Sequence, residues 1–253
     1  VLFYTCYKQT YITYITMSPL QQMQHYLAVD TETTGLKAGV NQVLTAYFVV
    51  VDSTLQTIAQ LDLSIKYAEY NVNERAMEIN KIDLVEHDKT ALSVADARTK
   101  LKEFIQSNCI VTTDTIDTKP MIIMGHNVGF DLKMLKGSNI LQSDTIDTLL
   151  QDNSIDTMLI AKSLKKYKQF PKDESMSLVN LCSAFKLELS PTEQTLGAHN
   201  AEYDIKMTIE LLKRLLGMIN NLKDTSCSFN STELYVIHTQ FIPYYDLIEL
   251  FHM

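Results

Sequence analysis

Three strand-like runs precede the first helical pattern, and that order restricts the fold more than any other feature of the chain. Tyr26–Asp30 (YLAVD) is a short apolar run ending in an acid, which reads as a buried strand whose last residue reaches the sheet edge. Thr33-Thr34-Gly35 supplies the turn after it. Val43–Val51 (VLTAYFVVV) and Thr57–Lys66 read as the next two strands, arranged as a meander. Helical patterns follow at Glu74–Ile79 and from about Ser93, a fitting N-cap, to Ser107. Met121–Met124 (MIIM), entering Gly125, reads as a fourth strand, and a helix begins near Phe130. Ser177–Phe185 and Ala201–Ile219 carry apolar residues at helical spacing. Strands first, then helices alternating with a few strands, describe an α/β sheet with helices packed on it.

Two stretches, Thr112–Lys119 and Ser138–Asp156, are rich in Thr, Asp and Ser and read as surface loops or insertions. "IDT" recurs at Ile116, Ile146 and Ile155, but the uneven spacing makes no structural repeat. Met23 is a natural start for a central domain over 23–219. Residues 1–22 are then a peripheral extension, and 220–253 an aromatic-rich tail that caps the domain or docks on a partner. The tail's Leu247–Phe251 vaguely resembles a sliding-clamp-binding peptide without its leading Gln.

With 46% apolar residues the chain can fill a globular core. No apolar run reaches the roughly 18 residues needed to span a bilayer, and Val1–Met17 lacks a small-residue cleavage site. Cys6, Cys109, Cys182 and Cys227 are scattered without CxxC spacing. That argues against a zinc site or a disulfide framework and fits reduced thiols in a cytoplasm-like compartment.

Asp30 and Glu32 lie two apart, so on an extended chain their carboxylates share a face. Like charges placed so close repel unless a cation lies between them. They end an apolar strand before a turn, where α/β sheets present ligands. Asp131 follows a buried strand at a helix start, in Gly125-His126-Asn127-Val128-Gly129-Phe130-Asp131, where it serves either as an N-cap or as a third site acid. His199 sits in a loop after Gly197, and Asp204 lies on the first turns of the final helix.

These three segments, in this order, resemble the DEDDh-type 3′–5′ exonucleases. The first motif matches at Asp30, Glu32, Thr33, Gly35 and Leu36. The second matches at Gly125, His126, Asn127, Phe130, Asp131 and Leu135, and the third at His199, Ala201 and Asp204. Ala76–Ile82, Asp156-Thr157 and Ser177–Phe185 add weaker likenesses. The resemblance covers roughly Tyr26 to Leu216, and it implies an RNase H-like mixed five-stranded sheet flanked by helices.

For the site, the resemblance implies Asp30, Glu32, Asp131 and Asp204 as ligands of two Mg²⁺ ions, replaceable by Mn²⁺, with His199 as general base. Leu36 would wedge near the terminal base, Phe130 stack on it, Glu32 or the Thr33 backbone read the 3′-hydroxyl, and Asn127 contact the terminal nucleotide, against plain packing for Leu36 and Phe130 and turn closure for Asn127. His126 reads as structural, and Asp156 as support for the site. The implied partners are single-stranded nucleic acid 3′ ends, DNA or RNA, with a DNA polymerase or sliding clamp as a further candidate and no membrane. The net charge of −8 argues against sequence-specific duplex binding, but two bound divalent ions would bring it to about −4.

Overall fold

The computed structural model describes residues 24–111, 118–166, 175–189 and 200–224. Its first three strands, β1 (Tyr26–Thr33), β2 (Val43–Val51) and β3 (Thr57–Lys66), form the antiparallel meander that their sequence patterns predict. Helices α1 (Glu74–Asn80), α2 (Leu84–Asp88) and α3 (Val94–Asn108) follow, with strand β4 (Leu92–Ser93) just ahead of α3. Ser93 caps α3 as expected, its hydroxyl accepting the Asp96 N–H. A small antiparallel pair, β5 (Ile110–Val111) and β6 (Thr118–Lys119), leads into strand β7 (Met121–Gly125).

Beyond β7 come α4 (Val128–Gly137), α5 (Ser143–Leu149), strand β8 (Leu150–Asp156), α6 (Thr157–Lys166), α7 (Leu178–Ala184) and α8 (Ala201–Asp224). The main sheet runs β4-β3-β2-β1-β7-β8. Strand β7 lies parallel to β1, β8 parallel to β7, and β4 parallel to β3. The sheet therefore has six strands rather than five, because the two-residue β4 extends its edge. The Ser138–Asp156 stretch is also not a loop: α5 and β8 occupy most of it. Strand β8 is an edge strand, LQDNSID, so few of its positions face the core, and its polar sequence gives little strand signal.

The strand period of two divides β1 between two cores. Tyr26 and Ala28 pack with Ile160, Leu164, Ile205 and Leu212 beneath α6 and α8. Leu27 and Val29 pack with Leu101, Ile105, Met134 and Leu135 beneath α3 and α4. The strand at the centre of the sheet is thus held from both faces, and its C-terminal end emerges between α4 and α8. Helix α8 continues to Asp224, past the expected boundary at 219. The N-terminal extension, the tail beyond 224 with its clamp-like peptide, and His199 lie outside the described residues.

Candidate active site

Alternation along β1 sends Asp30 and Glu32 toward the α8 face, where the first turn of that helix delivers Asp204. One carboxylate oxygen from each of the three lies within 4.8 Å of the others. Thr31, between them, points to the opposite face, and its hydroxyl donates to Asp131 Oδ1 of α4 at 2.7 Å. Asp131 is itself 4% exposed. The two acids of the strand end are thus met by one acid from each of two helices on opposite faces. Thr31 is a site residue that sequence reading misses, although the same period of two that pairs Asp30 with Glu32 places it toward α4.

Such crowding changes the acids' titration. Burial, followed by the charges of Asp131, Asp204 and Glu32, raises the Asp30 carboxyl well above the carboxylate range. Burial and the charges of Asp204 and Asp131 push Glu32 up to about 8. Burial pushes Asp131 up to about 7, although the Thr31 hydroxyl opposes the shift. Carboxyls this reluctant to ionise together, with hard oxygens facing one another, suit a divalent cation better than they suit one another. The donor set fits the metal that the motifs imply.

The supporting contacts are specific. Asp156, 5% exposed at the end of β8, accepts N–H bonds from Asn127, Met158 and Leu159 at 2.9, 2.9 and 3.4 Å. It thereby caps α6 and fixes the turn that starts α4. Asn127 makes that turn with φ 60°, a left-handed conformation that asparagine tolerates, and its exposed side chain makes no cap bond. His126 joins the end of β7 to the segment before α7, with Thr157 Oγ1 2.8 Å from Nδ1 and the Met176 carbonyl 2.9 Å from Nε2. Burial holds its pKa below the ordinary value. These contacts give it a structural part.

Of the residues assigned to the nucleotide, Thr33 donates its hydroxyl to the Gly35 carbonyl at 2.8 Å, and its own carbonyl accepts from Asn80 Nδ2 at 3.1 Å. Leu36 is 80% exposed, so packing does not account for it. Phe130 is half-buried against the α4-side core. Asn127 combines turn closure with an exposed side chain. Gly35 is required where it stands, because a Cβ there would come within 2.5 Å of the Asn41 side chain.

A mixed sheet whose central strand ends in a carboxylate cluster, closed by helices from both faces, defines an α/β protein of the RNase H-like type. Residues 27–212 match the Exonuclease (RNase T) family, and the chain belongs to it, a DEDDh-type 3′–5′ exonuclease of the RNase H-like superfamily. That membership places it among the nucleases, a class of hydrolase. No curated protein matches the sequence. Among solved structures, E. coli exonuclease I in complex with a dT13 oligonucleotide is similar with a TM-score of 0.62 at 20% identity, over 84% of this chain and 46% of that one. A moderately thermophilic exonuclease I from Methylocaldum szegediense is similar with a TM-score of 0.56 at 18% identity, over 77% and 40%. The zinc-bound E. coli exonuclease I–ssDNA complex has a TM-score of 0.58 at 20% identity, over 78% and 43%. The chain spans less than half the length of each of these exonuclease I chains. Among the described residues, no helix is long and apolar enough to cross a membrane.

Proposed function

We propose that the chain removes nucleoside 5′-monophosphates one at a time from the 3′ end of single-stranded or frayed DNA. The observation that carries this reading is the convergence of Asp30, Glu32 and Asp204 on one face of the β1 end, with Asp131 joined to the same strand through Thr31. In this reading Asp30, Glu32, Asp131 and Asp204 hold two divalent cations, with Mg²⁺ suited to the all-oxygen donor set and Mn²⁺ able to replace it. When bound, such a pair neutralises charge at the scissile phosphate and on the attacking and leaving oxygens.

The chain's own residues do the rest. His199, five residues before Asp204, takes the proton of the attacking water at its imidazole nitrogen. The water oxygen bonds to phosphorus as the bond to the 3′-oxygen breaks. The mononucleotide leaves with its 5′-phosphate, and the 3′-oxyanion of the shortened strand takes a proton from solvent to become a 3′-hydroxyl. Leu36 and Phe130 offer apolar faces for the terminal base, and stacking of that kind tolerates any sequence. The DNA strands in the exonuclease I complexes support DNA as the substrate.

The test is digestion of 3′-labelled DNA and RNA oligonucleotides of equal sequence in Mg²⁺. Mononucleotide release from DNA is expected, with Asp30→Ala inactive. His199→Ala should lose about 10²–10⁴-fold in rate, the usual worth of a positioned acid or base, while keeping its metal affinity. Preferential release from RNA would reassign the substrate, and full activity in His199→Ala would remove the general-base role.

A further inference from the structure

We infer that the surface from Phe130 along α4 to the loop 36–41 carries the upstream part of the single-stranded substrate, whose phosphates are held by Lys133, Lys136 and Lys37. The inference rests on the proposed exonuclease reading for the position of the strand's 3′ end. Its physical basis is a charge asymmetry. The chain is acidic overall, at −8, yet residues 33–51 contain no Asp or Glu, and neither do residues 132–143.

The fold brings these two acid-free segments together. A Cβ at Gly137, the last residue of α4, would lie 2.5 Å from the Gly39 nitrogen and 3.1 Å from the Ala38 carbonyl carbon. The next residue, Ser138, accepts the Val43 N–H on its hydroxyl at 3.2 Å. Helix α4 therefore leads from Asp131 directly onto the loop that carries Leu36 and Lys37.

Lys89, Lys102, Lys206 and Lys213 each contact an acid at 2.6–3.0 Å. Lys37, Lys133 and Lys136 are exposed, and among the described residues none of them forms an ion pair. Arg98 adds a further positive charge at the end of α4, donating from Nε to the Asn139 carbonyl at 2.8 Å.

The spacing suits a strand. Phe130, Lys133 and Lys136 recur every three residues and so lie along one side of the helix. They span about 9 Å, the rise of two to three stacked nucleotides at ~3.4 Å each. Beyond them lies a cleft of about 320 Å³, lined by Leu36, Lys37, Val40 and Val72 together with asparagine side chains. Leu36, Val40 and Val72 are exposed apolar groups suited to stacking bases. Glu69 and Glu74 flank in sequence the 71–73 segment that lines this cleft. Lysine ammonium groups are point charges, so the strip holds a polyanion without reading its sequence.

The experiment is fluorescence anisotropy of 5′-labelled dT12, with Ca²⁺ in place of Mg²⁺, across a salt series. Lys37→Ala, Lys133→Ala and Lys136→Ala should each weaken binding about fivefold at 0.1 M salt and lower the salt slope by about 0.7, and the triple variant by on the order of 100-fold. Lys100→Ala, two residues from Arg98 and so on the opposite side of α3, should bind like the wild type. A triple variant within about twofold of wild type at this salt, or an equal loss in Lys100→Ala, overturns the proposal. So does a duplex that binds as tightly with the same lysine dependence. Melting temperatures equal to wild type confirm that the exposed substitutions leave the fold intact. Lysine-dependent binding without mononucleotide release would sink the exonuclease reading and leave this surface standing.

Discussion

Glu32 shows what a single position in a carboxylate cluster does to the whole chain. Its pKa is pushed from an ordinary 4.5 to about 8 by burial and by Asp204 and Asp131, so the metal-free folded protein holds a proton there that the unfolded chain gives up. The native state then binds more protons than the unfolded one, and stability falls as pH rises through this window. Asp131, pushed from 3.8 to about 7, acts in the same direction. A Glu32→Gln variant removes the titration while keeping the shape of the protonated acid. In the metal-free protein it should melt higher than wild type at pH 8 and equal to it near pH 4, below the unfolded pKa. In Mg²⁺ its rate should fall by about 10²–10³-fold, the scale of losing one preorganised group at a reacting centre. Thermal melts at the two pH values check the first half, and a single-turnover assay checks the second. A wild type whose metal-free stability rises from pH 5 to pH 8 contradicts the cluster.

Strand β8 and helix α4 meet at one carboxylate. Asp156 accepts three backbone N–H groups, one from the Asn127 turn and two from the first turn of α6, so it both caps a helix and sets where Asp131 enters the site. Asp156→Ala leaves buried donors without an acceptor and should cost about 1–3 kcal/mol, with a fall in rate although the residue is not itself a ligand. Asp156→Asn keeps the accepting oxygen and should recover most of both losses in urea unfolding and rate assays, whereas an equal loss in both variants would show that charge rather than capping matters. The same element shows where sequence reading succeeds and where it stops. Val43–Val51 was legible as a strand because it is apolar on both faces, and Ser93 as a cap because Asp96 follows three residues on. Strand β8 was not, since an edge strand with one neighbour needs few apolar residues, and LQDNSID supplies only Leu150 and Ile155 to the core. Asp156 was legible as a supporting residue only through its family-like junction, and its three acceptor bonds depend on a strand that the sequence does not announce. The four acids were legible because motif spacing survives any misreading of the elements between them. Their approach from two opposite faces was not, because it depends on which side of the sheet each helix packs.

At the scale of the molecule, an acidic chain has gathered four carboxylates at the one place where its central strand leaves both cores, and folding must overcome their mutual repulsion. A divalent cation that binds the folded cluster and not the unfolded chain returns that energy by mass action. At a concentration 100 times its dissociation constant such an ion stabilises by about 2.7 kcal/mol, and each kcal/mol raises the melting temperature of a domain this size by about 2–4 °C. Mg²⁺ or Mn²⁺ at saturation should therefore lift the melting point by roughly 5–10 °C over the chelated protein. The lift should grow from pH 6 to pH 8, because the cation competes with protons held on Glu32 and Asp131. In Asp30→Ala it should shrink sharply, although that variant loses a repelling charge and its metal-free form melts no lower than wild type. Scanning calorimetry of both proteins with and without chelator separates these effects. An equal metal-induced lift in wild type and Asp30→Ala would place the stabilising cation away from the end of β1 and remove the cluster from the catalytic proposal.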